Sequence, residues 1–226
     1  ARELARALAR RGRARVSSEK RTERAATPAT STSTASHAAA STPAPPNPPP
    51  FAPFPVLRTE RIYASRWCGL RRDFLRLHDG AEQEYHVVEI PDAVAVVPVL
   101  PNGDIVLIGQ FRHPHGKTHW EVPAGRIAPG ESPETCAERE LHEETGHRAG
   151  RWERLPGFYP INGISDHFAH VFVALDCVQV GAHEPESCEQ IIVQRFTRAE
   201  VGALLDSGQL EDAFAALSLA YWLRRS

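Results

Sequence analysis

Three glutamates stand close together in one short segment of the chain. Glu140, Glu143 and Glu144 are spaced i, i+3 and i+4, so a helix would bring their carboxylates to one face, within about 6 Å of one another. Carboxylates at that spacing repel each other, and oxygen-rich sites are those that Mg²⁺ and Mn²⁺ prefer. The cluster is therefore either a solvated charged face or a site for a hard divalent cation, and by itself the solvated face is the commoner outcome.

The residues around the cluster predict a short helix. Ser132 is a good N-cap, Pro133 suits the first helical position, and Glu134 complements the helix dipole. Gly146 is a typical helix stop. We therefore expect one helix over Pro133–Thr145.

A longer pattern encloses the glutamates. It consists of eight residues at fixed spacing: Gly125, Glu131, Arg139, Glu140, Leu141, Glu143, Glu144 and Gly146. The string resembles the Nudix box of the Nudix hydrolase family, with all eight positions filled. The one departure is His147, where the family has an aliphatic residue. Eight specified residues rarely coincide by chance, so the resemblance outweighs the solvated-face interpretation.

The resemblance extends to both sides of the box. Upstream, Gln110–Pro114 and Glu121–Gly125 are similar to the strand and loop that precede the box in the ADP-ribose pyrophosphatase branch. Downstream, Phe158–Pro160 and Gly163–Asp166 are similar to a loop of that branch. The downstream match is looser at Ile161, Asn162 and His167. These departures bear on the choice of substrate more than on the pyrophosphatase chemistry.

The resemblance implies a fold and a metal site. The fold is an α/β/α sandwich with a mixed β-sheet, in which the box forms a loop, a helix and a loop. Glu140 and Glu144 would be the principal ligands of Mg²⁺, with Mn²⁺ as the alternative. Glu143 would bind a further ion directly or through water, and the Ala124 carbonyl would complete the shell.

The resemblance also implies residues that assist the reaction. Arg139 would orient a neighbouring carboxylate, and Glu131 would brace the loop onto the helix. A general base is expected from a loop just before the last strand, where Glu184, Glu186 and Glu189 lie. Glu189 aligns best and Glu186 is close behind it, so both stay candidates for this catalytic role.

Substrate contacts are expected on the strand before the box and on the loop after it. The resemblance assigns Arg112 and Glu121 to substrate binding, and a guanidinium suits both phosphates and sugars. Phe158 could stack on adenine, as could Tyr159. Both aromatic residues could equally be strand-end core.

The implied reaction is metal-dependent hydrolysis of the diphosphate bond in a nucleoside diphosphate derivative, which releases a nucleoside monophosphate. ADP-ribose or an ADP-sugar is the first choice of substrate. Dinucleoside polyphosphates and NADH are alternatives, as is a non-catalytic nucleotide sensor. Such sensors tend to lose a box carboxylate, whereas this chain keeps Glu131, Glu140, Glu143 and Glu144, which favours the enzyme.

Several elements that must position these residues can be predicted. We expect strands over Glu84–Ile90, Ala93–Leu100 and Ile105–Phe111, the last two joined as a hairpin at Asn102–Gly103. Two more strands are expected over Phe168–Leu175 and Gln190–Phe196. C-terminal helices are expected from Thr197, which has capping-box spacing to Glu200, and over Ala213–Leu223.

Composition separates an N-terminal tail from the body of the chain. Residues 1–24 hold nine basic and three acidic residues, and the rest holds 17 and 25, so a basic tail precedes an acidic body. Residues 25–57 hold nine prolines and no charged side chain, a composition typical of disorder. We expect an Arg/Ala/Ser/Thr/Pro-rich tail over 1–55 and a Nudix domain over 56–226. The Arg-rich start also fits a transit peptide.

The same composition limits partners and location. An acidic body disfavours non-specific nucleic-acid binding, and no apolar run reaches the roughly 20 residues that span a bilayer. The four cysteines form no close pair, which is typical of reduced thiols in a cytoplasmic setting. We therefore expect a cytoplasmic protein that takes a small nucleotide substrate and contacts neither nucleic acid nor membrane; a homodimer is left open.

Overall fold

The computed structural model describes Asn47, Pro48, residues 50–185, Ser187 and residues 189–225. In that part of the chain there are twelve strands and three helices. Their bounds are β1 (Val56–Ala64), β2 (Gly69–Arg76), β3 (Glu82–Glu89), β4 (Ala93–Pro98), β5 (Ile105–Arg112), β6 (Lys117–Glu121), β7 (Ala124–Arg126), α1 (Pro133–Thr145), β8 (His147–Arg148), β9 (Arg151–Phe158), β10 (Ala169–Leu175), β11 (Val178–Gln179), β12 (Ile191–Phe196), α2 (Arg198–Asp206) and α3 (Ala213–Leu223).

Some expectations fall outside the described residues. The basic segment, the suggested transit peptide and most of the Pro-rich tail are among them, as are Glu186 and Cys188. The other three cysteines, Cys68, Cys136 and Cys177, are free thiols. Among the helices of the described residues, none combines the length and the apolar composition needed to span a membrane.

Strand β4 lies at the centre of the fold. It pairs in parallel with β10 and antiparallel with β7, and β9 completes a four-stranded sheet in the order β7-β4-β10-β9. Strand β5 pairs with β12 and β6 in a separate three-stranded sheet. Short strands β8 and β11 pair with each other. The four-stranded sheet is mixed, as predicted, and the pairings in the other sheets are antiparallel.

The predicted hairpin between β4 and β5 is wrong beyond its turn. The turn itself forms, because the Leu100 N–H donates to the Asp104 carbonyl at 2.8 Å and Gly103 takes a φ of 87°. Past it only one bridge joins the strands, from Val99 to Ile105. Both edges of β4 are already occupied by β7 and β10, so β5 must pair elsewhere.

Alternate residues of β4 enter two separate cores. Val94 and Val96 belong to the cluster that includes the α1 residues Ala137 and Leu141. Ala95 and Val97 belong to the opposite cluster, which takes in Val201 of α2 and Ala215, Leu219 and Trp222 of α3. Helices therefore cover both faces of the strands. This arrangement confirms the predicted α/β/α sandwich.

A three-stranded sheet of β1, β2 and β3 precedes this sandwich. Of its strands, only β3 was expected. β1 is exposed along all nine residues, and cross-strand ion pairs run over the sheet, such as Arg72 with Glu60 at 2.6 Å and with Glu84 at 3.2 Å. A sheet with many charged side chains lacks the apolar pattern that identifies a strand.

Candidate active site

Local signals fix both ends of α1. The Ser132 hydroxyl accepts from the Thr135 N–H at 3.1 Å, and Pro133 occupies the first turn. At the other end Gly146 has a φ of 71°, and its N–H donates to the His142 carbonyl at 2.8 Å. The predicted helix is therefore confirmed, and its caps hold the glutamates at fixed positions along it.

Glu140 lies against the loop that enters α1. Its carboxylate packs on Gly125 so closely that a Cβ at that position would be 1.8 Å from Glu140 Oε1. Gly125 belongs to β7, and the pairing of β7 with β4 fixes its position. Glu140 is 8% exposed, and burial raises its pKa from 4.5 to about 7. The burial of this carboxyl group therefore outweighs the opposing effect of the nearby Arg139 guanidinium on its pKa.

Glu144 lies one turn further along and is 2% exposed. The Ala124 N–H donates to its Oε2 at 2.9 Å. Burial raises the pKa of Glu144 well above its usual value, and the negative charges of Glu140 and Glu189 add to this effect. Two buried carboxylates therefore face the Ala124–Gly125 segment side by side.

Arg139 connects the loop, the helix and the carboxylates. Its Nε and Nη2 donate to the two oxygens of Glu131 at 3.0 and 3.2 Å. Its Nη1 donates to Glu140 at 2.7 Å and to Glu143 at 3.0 Å. This hydrogen bonding lowers the pKa of Glu131 to about 2. The Glu131 side chain in turn accepts from the Ala128 N–H at 2.9 Å, so it braces the loop.

The glutamates of α1 do not converge as a preformed metal site. Within the described residues, no three or more His, Cys, Asp or Glu side chains are arranged as ligands, and Arg139 donates hydrogen bonds to both Glu140 and Glu143. The donor set nevertheless fits a hard divalent cation. It consists of oxygen atoms, and two of its carboxylates are buried with raised pKa values, so a cation would relieve their lack of positive charge.

Glu189 belongs to the same group. Its negative charge raises the pKa of both Glu140 and Glu144, so it lies within electrostatic range of the buried pair. The loop between β11 and β12 carries Glu189, and the first part of this loop is hydrogen-bonded to the end of α1. The Val180 and Gly181 N–H groups donate to the Gly146 carbonyl at 2.9 and 3.2 Å, and the Glu184 N–H donates to the Glu143 carbonyl at 2.6 Å.

Arg112 and Glu121 form a bidentate pair. Arg112 Nε donates to Glu121 Oε1 at 2.9 Å and its Nη2 donates to Oε2 at 2.6 Å. Glu121 is 3% exposed. The hydrogen bonds to Glu121 raise the pKa of Arg112, and the charges of Asp212 and Glu144 contribute. The pair therefore lies beside the buried carboxylates.

Asp212 is the residue of this group that the sequence did not single out. Its Oδ2 accepts from the Ala215 N–H at 2.8 Å, so it is the N-cap of α3. Burial raises its pKa, Glu121 raises it further and Arg112 lowers it. From the sequence alone, the cap role fully accounts for an aspartate at this position, and nothing signals its closeness to Arg112.

The two aromatic candidates have different surroundings. The Phe158 ring lies 5.8 Å from that of Phe214 and packs on the core under α2 and α3. Tyr159 is 56% exposed, with its ring 4.9 Å from that of Phe168. Core packing accounts for the position of Phe158 without a ligand.

Comparisons with known proteins point to one family. The family model described as NUDIX domain matches residues 89–216. The ADP-ribose pyrophosphatase of Bacillus subtilis (strain 168) is 34% identical over 163 residues, which cover 72% of this chain and 88% of the relative. The ADP-ribose pyrophosphatase of Mycobacterium tuberculosis is 36% identical over 138 residues, 59% of this chain and 67% of the relative.

A solved structure, the crystal structure of an ADP compounds hydrolase, has the same fold. It superposes with a TM-score of 0.69 at 23% identity and covers 78% of this chain and 97% of its own. The resemblance to the ADP-ribose pyrophosphatase branch is confirmed, and the chain belongs to the Nudix family.

Proposed function

We propose that this chain hydrolyses ADP-ribose or a closely related ADP-sugar, with AMP and, from ADP-ribose, ribose 5-phosphate as products. The coarser activity is that of a Nudix pyrophosphatase, which hydrolyses the pyrophosphate bond of nucleoside diphosphate derivatives. The names of the Bacillus and Mycobacterium relatives support the choice of ADP-ribose.

The single observation that carries the proposal is the buried carboxylate pair. Glu140 and Glu144 are 8% and 2% exposed, and both have raised pKa values. Buried acids that lack a full complement of positive charge are costly to a fold. Their presence beside the Gly125 loop is accounted for if they serve a cationic ligand and the chemistry that it enables.

Four positions would hold the divalent ion that members of this family generally use. Glu140 and Glu144 would be the principal ligands, Glu143 would bind directly or through water, and the Ala124 carbonyl would add a neutral oxygen. Mg²⁺ is the proposed ion and Mn²⁺ the alternative. When bound, such an ion offsets the charge of the diphosphate and lowers the pKa of a bound water.

Glu189 would accept the proton from the attacking water. The water oxygen forms a bond to one phosphorus, the bond from that phosphorus to the bridging oxygen breaks, and the bridging oxygen leaves with the other phosphate. The proximity of Glu189 to the buried pair supports this role. Glu186, which lies outside the described residues, is the alternative base.

The remaining residues would position the site and the substrate. Arg139 and Glu131 would keep the loop and α1 in register through their mutual hydrogen bonds. Glu121 would orient the Arg112 guanidinium, whose Nη1 is not part of the bidentate pair, toward the phosphates or the sugar. Of the two aromatic candidates for stacking on the base, Tyr159 is exposed and suits this role better than Phe158, which packs against the core.

A substrate panel tests the proposal. The purified chain would be incubated with Mg²⁺ and, separately, with ADP-ribose, an ADP-sugar, a dinucleoside polyphosphate and NADH, and the products separated by chromatography. We expect fastest turnover with ADP-ribose or the ADP-sugar, and its loss in Glu144→Gln. Faster cleavage of a dinucleoside polyphosphate or NADH would overturn the substrate assignment. Binding of all four compounds without turnover would identify a sensor.

A further inference from the structure

One face of β6 carries a row of polar side chains. Lys117, His119 and Glu121 alternate along the strand, so their side chains lie on the same face of the sheet. Glu121 accepts both hydrogen bonds of the bidentate pair from Arg112. His119 is 8% exposed and Glu121 is 3% exposed, and buried polar side chains need hydrogen-bond partners. The contacts made by this row therefore affect how Arg112 is held.

Glu211 provides the partner of His119. The His119 Nδ1 atom lies 3.2 Å from Glu211 Oε2, and the Lys117 Nζ atom lies 4.0 Å from Glu211 Oε1. Because a carboxylate only accepts, Nδ1 of His119 donates this hydrogen bond. The other ring nitrogen, Nε2, is buried and has no partner within the described residues. The hydrogen bonding of the His119 ring therefore depends on Glu211.

The start of α3 fixes the position of Glu211. The next residue, Asp212, is the N-cap of this helix, and its Oδ2 accepts from the Ala215 N–H at 2.8 Å. Ala215 is fully buried in the core. Asp212 also lies within electrostatic range of Arg112 and Glu121. Glu211 therefore extends from a firmly packed element toward the face of β6 that holds Arg112.

Strand β6 depends on such a contact because it is an edge strand. In the described part of the chain its sheet has the order β12-β5-β6, so β6 is hydrogen-bonded to β5 alone. We propose that Glu211 is a positioning residue for substrate binding: through His119 it restrains β6, and with β6 the Arg112 guanidinium. Glu211 does not itself touch the substrate. This role rests on the proposed function, in which Arg112 binds the substrate.

Steady-state kinetics with ADP-ribose and Mg²⁺ tests this role. Glu211→Ala removes the acceptor, so KM should rise about threefold to tenfold, while kcat stays within about twofold because a binding contact is weakened. Glu211→Gln keeps an oxygen that accepts from His119, so its KM should stay within about twofold of the wild-type value. Where Arg112→Gln raises KM, no rise in Glu211→Ala, or the same rise in both Glu211 variants, would overturn the proposal.

A double variant separates an effect through Arg112 from a general loss of structure. Arg112→Gln should itself raise KM by about tenfold or more, and Glu211→Ala added to it should raise KM no further. Additive effects would mean that Glu211 does not act through Arg112, and would overturn the proposal.

Hydrogen exchange at the Arg112 Nε–H provides a measurement without substrate. In protein that contains isotope-labelled arginine, this NMR signal is identified by its loss in Arg112→Lys. Its exchange with water should be equally slow in the wild type and Glu211→Gln, and about threefold or more faster in Glu211→Ala. Unchanged exchange in Glu211→Ala would overturn the positioning role. If Arg112→Gln leaves KM unchanged, the role of Arg112 in the proposed function is wrong, and the exchange rate alone then decides whether Glu211 positions Arg112.

Discussion

Replacement of Glu140 by glutamine tests the buried carboxylate pair through protein stability rather than turnover. In the folded protein the pKa of Glu140 is raised from 4.5 to about 7 by burial. The folded state therefore holds this proton more tightly than the unfolded chain does. As the pH rises from 4.5 to about 7, the free energy of unfolding should fall, the opposite of the usual behaviour of a paired carboxylate.

The size of the effect follows from the pKa difference. Each pH unit between the two pKa values is worth about 1.4 kcal/mol, so ionised Glu140 lowers stability by about 3 kcal/mol above pH 7. Glutamine keeps the shape and does not ionise. Without metal, Glu140→Gln should therefore be more stable than the wild type above that pH by up to about 3 kcal/mol, which raises Tm by about 6–12 °C.

Thermal unfolding in a chelator across this pH range is the assay. Glu138→Gln is the matched control, because Glu138 lies on the same helix, is exposed, and loses the same charge; its stability should change by less than about 0.5 kcal/mol. Excess Mg²⁺ should stabilise the wild type and reduce or reverse the advantage of Glu140→Gln.

Two results would refute this reasoning. One is a lower Tm for Glu140→Gln than for the wild type above pH 7 in the chelator. The other is equal stabilisation of Glu140→Gln and the wild type by Mg²⁺. The first would mean that the ionised carboxylate stabilises the fold, and the second that it does not bind the ion.

Three further predictions concern the site and the tail. Glu189→Gln should lower kcat by a factor of about 100 or more, with little change in Mg²⁺ affinity. The control Glu184→Gln should leave kcat and Mg²⁺ affinity near the wild-type values. Equal loss of kcat in the two variants would exclude Glu189 as a specific base. Gly125→Ala should abolish turnover while the chain still folds, because the alanine Cβ would lie 1.8 Å from Glu140 Oε1. Turnover assays measure the first effect, and circular dichroism measures the second. A normal kcat would contradict the close packing of Glu140 on Gly125. Deletion of Ala1–Pro50 should leave Tm and kcat unchanged, because that composition cannot build a core; aggregation of the truncated chain would show otherwise.

Helix α1 could be predicted from the sequence because its signals are local. A capping hydroxyl at Ser132, proline at position 133 and glycine at position 146 act within a few residues of the bonds that they make. The capping box of Thr197 and Glu200 on α2 is equally local and is confirmed. Helix ends that depend on such short-range hydrogen bonds can be predicted from the order of the residues.

The pairing of the strands could not be predicted in the same way. The turn at Asn102–Gly103 was readable, but its two strands belong to different sheets because β4 has no free edge for β5. β1 and β2 were missed because charged pairs such as Arg58 with Glu82, 2.7 Å apart, replace apolar alternation. Both features depend on partners far away along the chain.

The candidate site was predictable as a set of residues but not as an electrostatic arrangement. The spacing on α1 indicated Glu140, Glu143 and Glu144 as a group, whereas the structure buries two of them and leaves the third half exposed on Arg139. That difference arises from the packing of β7 against the helix, which no local pattern encodes. The part that Asp212 plays beside Arg112 is hidden for the same reason.

The hydrogen bonds from Val180, Gly181 and Glu184 attach the first part of the following loop to the end of α1. The first part is tied to the helix that carries the acidic residues, so an insertion there would displace the helix exit. Glu189, at the far end of the same loop, lies within electrostatic range of the buried pair. We therefore expect the length of the segment from Val180 to Glu184 to change little during evolution, whatever the substrate of a descendant protein, because a change there would shift the helix that carries the acidic residues.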